Sequence, residues 1–305
     1  MTEIITAECI VCAHKKQHSV ICDKPVDYEY GVLHNEHMPV QCLDCGLISL
    51  HPMPTINELK DYYPLDYCNY DDGNKSFLRR FLENLYADSL VKLVTKLIGK
   101  KGTILDVGCS NGELLGILQQ RGRWICHGVE FKQEIAEAGR RKGRTIFTGT
   151  LEDLKLPAES YDLVILNHMI EHARDPEAFL KEVRRVLRKG GNVFIETPNT
   201  QSLDFMLFKE KWGCIHFPRH TFLFNPHNLK TLLTKAQFFP REINYSLHTC
   251  GWALGCQNSL VEKFKWKRRY GRIAIYPLFL CMFVPFTFLQ VLGKNASVMR
   301  MIAEK

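Results

Sequence analysis

From residue 103 onward the chain alternates short apolar runs with segments of helical periodicity. Thr103-Ile104-Leu105 leads into Asp106, and Trp124 to Val129 ends in Glu130. Arg144 to Phe147, Tyr161 to Leu166 and Asn192 to Glu196 read as three further strands, the last after Arg188-Lys189-Gly190-Gly191. A helical start such as Glu113-Leu114-Leu115 follows the first strand. Strands alternating with helices predict an α/β fold built on a parallel sheet. Ahead of this region, Phe77, Phe81, Leu85, Leu90, Leu93 and Leu97 recur at helical spacing and predict a helix from about Ser76 to Ile98. Near the end of the chain, Ser297 to Ala303 reads as a last strand, with Asn244 to Leu247 as its antiparallel partner. The segment between them, Ile273 to Gly293, carries no formal charge and is broken by Pro277 and Pro285.

The polar residues at the strand ends change this picture from architecture to chemistry. Asp106, Glu130, Glu152, Asn167 and His168 all fall there, where open α/β sheets bind ligands. Asp106 is followed by Gly108, Ser110 and Gly112. An acid before the glycines suits a positively charged, amino-acid-like ligand. The glycines let the backbone come close, and the following helix start offers free N–H groups to a carboxylate. The dinucleotide fingerprint G-x-G-x-x-G does not fit, because Ser110 and Glu113 occupy its second and third glycine positions. A pyrophosphate would also be repelled by Asp106.

The stretch from Ile104 to Gly112 resembles motif I of the class I S-adenosylmethionine (SAM) methyltransferases. Later segments match that family in order and spacing. Glu130 lies 24 residues past Asp106, where a carboxylate accepts both ribose hydroxyls. Gly149-Thr150-Leu151-Glu152-Asp153 resembles the adenine-binding loop, with Glu152 or Asp153 for the exocyclic amine and Leu151 packed on the ring. Tyr161 to His172, then Asp175-Pro176, resembles motif IV, and Leu187 to Asn199 matches the loop and strand that follow. The resemblance covers roughly residues 100 to 245. It implies a Rossmann-like, seven-stranded sheet and SAM as cofactor. Asp106, Gly108, Ser110, Gly112, Glu130, Leu151, Glu152 and Asn167 are the implied donor-binding set.

Twelve cysteines are many for 305 residues. Cys9-x-x-Cys12 and Cys42-x-x-Cys45 offer four thiolates to one tetrahedral zinc, and Gly46 permits a tight turn after the second pair. Residues 1–52 are therefore expected to form a small zinc ribbon whose structural metal replaces a large core. His14, His18 and His37 read as surface residues. Lys15, Lys16 and Lys24 are balanced by Asp23, Asp27, Glu29 and Glu36, which speaks against a nucleic-acid face. Most other cysteines (Cys109, Cys126, Cys214, Cys256) are scattered singly, as reduced thiols in a cytosolic protein are. The first residues carry no basic, apolar leader pattern.

Methyl transfer to oxygen requires an aligned acceptor and a base. His168, Glu171 and His172 would share one face of a helix starting after Asn167. That face reads as a general base oriented by Glu171, as a divalent-metal site, or as hydrogen bonds that fix the loop. Some related ubiquinone O-methyltransferases and small-RNA methyltransferases carry E-x-x-E-H there, with an acid where this chain has His168. The second histidine set, His216-Phe217-Pro218-Arg219-His220, reads as a loop closing over the acceptor. In that reading Arg219 holds an anionic group, and Trp212 and Phe217 form a stacking wall. In the plainer reading the loop is a connector whose His220 caps the next helix. His168, His172 and His220 are the candidate catalytic residues. Residues 53–100 form an aromatic and helical linker in which Tyr62, Tyr63 and Tyr67 read as a lid or as an interdomain contact.

The net charge of +7 is unevenly spread: six of the ten residues from Lys263 to Arg272 are basic. With the apolar insert 273–293 inside the 101–305 methyltransferase domain, this suggests association of residues 263–293 with the cytoplasmic membrane face. If the last strand returns to the sheet, a single membrane crossing is excluded. Ribbon, SAM fold and Pro-Arg-His loop together resemble methyltransferases of cell-surface polysaccharide and sugar biosynthesis. The resemblance implies a glycan or a nucleotide- or lipid-linked sugar as acceptor. The alternatives are a quinone-pathway O-methyltransferase and a non-catalytic, membrane-associated SAM-binding adaptor. Nucleic acid is not an expected partner.

Overall fold

The computed structural model describes residues 3–22, 25–28, 32–33, 36–62, 77–266 and 272–305. The N-terminal part is built from β1 (Ile4–Cys9), β2 (His14–Val20), β3 (Val26–Asp27), β4 (Val32–Leu33), β5 (Met38–Cys42) and β6 (Ile48–His51). Two helices follow, α1 (Ile56–Asp61) and α2 (Phe77–Ile98). Strands β1, β2, β5 and β6 form an antiparallel sheet.

The rest of the chain alternates as the apolar runs predict. In order it forms β7 (Lys101–Val107), α3 (Glu113–Arg121), β8 (Arg123–Glu130), α4 (Gln133–Arg141), β9 (Thr145–Thr148) and α5 (Leu151–Leu154). Then come β10 (Tyr161–Asn167), α6 (Pro176–Val186), β11 (Leu187–Pro198), α7 (Leu203–Phe208), β12 (Phe222–Leu223) and α8 (Pro226–Lys235). The chain finishes with β13 (Phe239–Ser246), α9 (Cys250–Phe264), α10 (Tyr276–Met282), α11 (Val284–Leu292) and β14 (Val298–Glu304).

Seven strands form one mixed sheet in the order β13-β14-β11-β10-β7-β8-β9. β7 to β11 run parallel, while β14 is antiparallel to both β11 and β13. The sheet is buried on both faces, which is why its strands read as continuous apolar runs. Leu105, Val164, Leu166, Val193 and Ile195 pack with Leu180 and Val183 of α6 and Leu229 and Leu232 of α8. Their neighbours Ile104, Leu163, Ile165 and Phe194 point the other way, onto Leu90 and Val94 of α2 and Leu115 and Leu118 of α3. The strand order departs in both directions from β7, so a crevice opens between the ends of β7 and β10.

The N-terminal sheet is continued by the later chain. β12 pairs with β6, Phe222 against Ser49 and Leu223 against Ile48. Cys9, Val11, Cys42 and Leu47 share one core with Phe222, Phe224, Leu229 and Leu232. Two histidines expected at the surface belong to this packing: His18 is 1% and His37 4% exposed. Each donates Nδ1–H to a carbonyl, His18 to Lys16 O and His37 to Pro52 O.

Helix starts follow local chemistry. Asp175 accepts from Ala178 N at the start of α6, ahead of Pro176. Asn225 and Asn228 form a reciprocal capping box on α8, so Asn225 fills the capping role considered for His220. Residues 273–293 form α10 and α11, which meet at Phe283. No helix among the described residues is long and apolar enough to cross a membrane.

Candidate active site

At the tip of β7 the carboxylate of Asp106 is 3% exposed. Burial, and secondarily the charge of Glu130, push it up to about 7. No cationic or hydrogen-bonding group of the protein offsets this among the described residues. Glu130, on the neighbouring tip of β8, is held in place by two backbone donors. Its Oε2 accepts from Ser110 N at 3.1 Å and its Oε1 from Lys132 N at 3.0 Å. Burial pushes Glu130 up as well. Among the described residues Ser110 Oγ is buried without a hydrogen-bond partner, and Tyr86 Oη and Asn167 Oδ1 are buried side by side. Tyr86 also lies near Asp106. Buried polar atoms around an uncompensated carboxylate describe a site built for a polar, cationic ligand.

Gly108 has φ +77°, and a Cβ there would stand 2.2 Å from Met169 Sδ. Gly112 has φ +72° and serves as N-cap of α3. Both positions therefore need glycine. In the next loop Glu152 and Asp153 are both exposed; Asp153 Oδ2 accepts from Thr150 Oγ1, and partial burial raises the Glu152 carboxyl. Leu151, read above as packing on an adenine ring, is 1% exposed and belongs to the main core.

Motif IV departs from the expected helix. His168 takes φ +53° because its N–H donates to Glu196 O, which holds it along β11. Only a 3-10 turn, Ile170–His172, follows. His168 Nδ1 donates to Glu171 Oε1 at 3.0 Å, and its Nε2 lies 3.8 Å from Glu196 Oε1. Burial disfavours its charge, but the hydrogen bond and charge of Glu171, with Glu196, outweigh this and raise it to about 9. At neutral pH His168 is thus an imidazolium between two carboxylates rather than a ready base.

His172 and His220 pack edge-on against each other, with ring centroids 4.7 Å apart. His172 donates Nδ1–H to Arg219 O, and His220 to Cys214 O. His220 is 6% exposed, and burial holds it well below the ordinary histidine range. Glu171, His172 and His220 bring ligand atoms within 4.8 Å of one another. Both Glu171 oxygens are already engaged, however, by His168 and by Thr197 Oγ1 at 2.9 Å. The trio fits a hydrogen-bonded support for His168 better than a metal site.

The loop residues thought to hold the acceptor are structural. Arg219 is 3% exposed and pairs with Asp27, Nε to Oδ2 at 3.0 Å. Trp212 and Phe217 are each 1% exposed. Trp212 Nε1 donates to Asp204 Oδ2 at 2.6 Å. Tyr62, just after α1, lies edge-on to His37, while Tyr63 and Tyr67 lie outside the described residues. Sequence reasoning missed Glu196 as a hub: it meets His168, His248 (Nε2 at 3.7 Å) and Arg300. These partners are separated by tens of residues, so no spacing rule points to them.

Cys9, Cys12, Cys42 and Cys45 converge with all four Sγ atoms within 4.8 Å. Cys9 Sγ lies 3.6 Å from Cys45 Sγ, and Cys12 Sγ 4.0 Å from Cys42 Sγ. A tetrahedron with Zn–S of about 2.3 Å has edges of roughly 3.8 Å, so the cluster fits zinc. The hydrogen bond from Cys45 pulls the Cys9 thiol well below the ordinary cysteine range, while Cys45 is raised as its proton donor.

Residues 78–242, more than half of the chain, match the family described as a methyltransferase domain. Ubiquinone biosynthesis O-methyltransferases are among its relatives. That of Idiomarina loihiensis is 34% identical over 36% of this chain and 47% of its own length. That of Haemophilus ducreyi is 34% identical over 36% of this chain and 50% of its own. The chain thus spans about half the length of these relatives. Among solved structures, a geranyl diphosphate methyltransferase in complex with GPP and sinefungin aligns with TM-score 0.50 and 15% identity. The alignment covers 73% of this chain and 79% of that one. The cyclase SpnF aligns with TM-score 0.50 and 16% identity, over 77% of this chain and 85% of its own. Both share the fold.

Proposed function

Because the chain belongs to the methyltransferase-domain family, we propose that it is a SAM-dependent methyltransferase. One observation carries this reading: the buried Asp106 carboxylate, pushed up to about 7, has no counter-charge among the described residues. A ligand ammonium supplies that charge. Asp106 would hold the amino group, Glu130 the ribose hydroxyls, and Glu152 the adenine amine. Gly108, Ser110 and Gly112 would take the amino-acid moiety, with Asn167 beside it. The donor supplies an activated methyl on a sulfonium. The protein's part is to align an acceptor at the end of β10 and to manage its proton, with His168 the residue at hand there.

The acceptor reading is a hydroxyl of a glycan or of a nucleotide- or lipid-linked sugar. It rests on the resemblance of the motif set. The quinone-pathway reading is favoured by one finding, the 34% identity to ubiquinone biosynthesis O-methyltransferases. The four N-terminal cysteines hold a structural zinc in this reading, and His172 and His220 support rather than perform the chemistry. The likeness to SpnF is a reminder that the fold also serves a cyclase, so donor binding and methyl transfer need separate tests. Calorimetric titration with S-adenosylhomocysteine tests the pocket. Transfer of label from radiolabelled SAM to fractionated envelope extracts tests the reaction. Absence of heat, unchanged by Asp106→Ala, would overturn the pocket; heat without transfer would leave a non-catalytic adaptor.

A further inference from the structure

α11 is built inside out. Its polar residues Thr287 and Gln290 are 0% and 2% exposed. Gln290 Nε2 donates to Asp204 Oδ1 at 2.9 Å, and its Oε1 accepts from Trp252 Nε1 at 2.7 Å. Its apolar residues point the other way: Phe286 is 50%, Leu289 65% and Leu292 64% exposed. On α10, Tyr276 and Phe279 pack onto Ala253 of α9, while Leu278 is 63% exposed. A helix of a water-soluble surface has the opposite polarity. So large an apolar face marks an interaction site.

Charge selects the partner. Between Lys263 and Lys294 the chain carries seven cationic residues and no acidic one. Lys263 and Lys265 close α9, and Arg272 precedes α10, stacked on the Tyr276 ring at 4.3 Å. Two copies facing each other over this surface would bring together two segments of like charge. An anionic surface with an apolar interior complements both halves. The helices have 7 and 9 residues, about 10 and 14 Å, against a hydrocarbon core of about 30 Å. The segment that follows returns to the sheet as β14. The chain therefore enters and leaves on one side, and the helices lie in the interface plane.

We propose that the exposed face of α10 and α11, with its basic flank, docks the protein peripherally onto an anionic lipid bilayer. This does not depend on the identity of the acceptor or on methyl transfer. The test is co-sedimentation of the full chain with phosphatidylcholine vesicles, with and without 30% phosphatidylglycerol. At least about tenfold more bound protein is expected on the anionic vesicles, with most of it released by 0.5 M NaCl. Phe286→Ser/Leu289→Ser should abolish binding with an unchanged melting temperature, and so should Lys263→Glu/Lys265→Glu. Equal binding to both vesicle types overturns the proposal, and so does no binding at all. Retention by the double serine variant reduces the effect to net charge and also overturns it. A wild-type dimer that the serine variant turns into monomer would assign the face to a second copy instead. Leu278→Ser/Leu292→Ser, on the same exposed face, carries the same expectation and decides the matter if the first serine variant fails to fold.

Discussion

Asp27 and Arg219, 192 residues apart, form a buried ion pair that fastens the N-terminal segment to the histidine loop. Arg219 also offers its backbone carbonyl to His172 Nδ1. The pair therefore sets the position of the motif IV support as well as the contact between the two parts. Asp27→Ala leaves a guanidinium buried without its partner, and about 3–5 kcal/mol of stability should be lost. Chemical denaturation of the variant measures it. A loss under 1 kcal/mol would mean that water reaches the pair.

The raised Asp106 makes donor binding depend on pH. Its proton must leave before a ligand ammonium is held, so affinity for S-adenosylhomocysteine should fall as pH drops below about 7. Ligand-free stability has the opposite dependence. The folded-state value lies above the unfolded one, so the charged carboxylate destabilises the fold as pH rises from about 4 through about 7. Asp106→Asn should abolish binding and stabilise the ligand-free protein at pH 8 by on the order of 2 kcal/mol. Calorimetry and thermal melts at pH 6 and 8 check both halves.

If His168 takes the acceptor proton, the turnover number should rise with pH, half-maximal near 9 and levelling off above it. Glu171→Gln removes the hydrogen bond and charge that raise His168, so the rise should move to lower pH. The shift of the limb separates this from a purely structural effect, which would lower the rate at every pH. His168 ties to Glu171 also contribute stability that is complete below about 6.5 and fades as pH rises through about 9.

Zinc content should be one ion per chain by elemental analysis and should be lost in Cys45→Ser. Stripping the metal with a chelator should lower the melting temperature by on the order of 10 °C. Cys9 and Cys42 lie in the same core as α8, so the loss should reach the methyltransferase sheet and not the first residues alone.

Gly108→Ala should weaken donor binding at least about tenfold. The new methyl meets Met169 Sδ, and the left-handed backbone itself costs about 1–2 kcal/mol. Gly108→Ala/Met169→Ala clears the contact but not the backbone strain, so it should recover only part of the affinity.

The sheet was legible because its strands are buried on both faces and read as unbroken apolar runs. Asp106 and Glu130 were legible because a strand end fixes where an acid can point. Two kinds of information were not. The course of the chain after Asn167 is set by a hydrogen bond from His168 N to Glu196 O, and no local propensity encodes that. Arg219 is drawn inward by Asp27, 192 residues away, and Trp212 and Leu151 are buried as well. A polar or aromatic loop residue reads the same in sequence whether it faces a ligand or a distant strand. The inverted polarity of α11 was hidden as well, since a charge-free stretch does not say which of its sides faces water.

β12 is only two residues long, yet it is the outermost strand of the N-terminal sheet while sitting late in the chain. The catalytic module therefore has no clean cut site. A fragment trimmed to the family boundaries would lose β6 and lay bare the apolar wall of Phe222, Phe224, Leu229 and Leu232. Such a fragment should aggregate, and the cysteine-bearing segment is better regarded as one side of the methyltransferase-family domain than as a detachable tag.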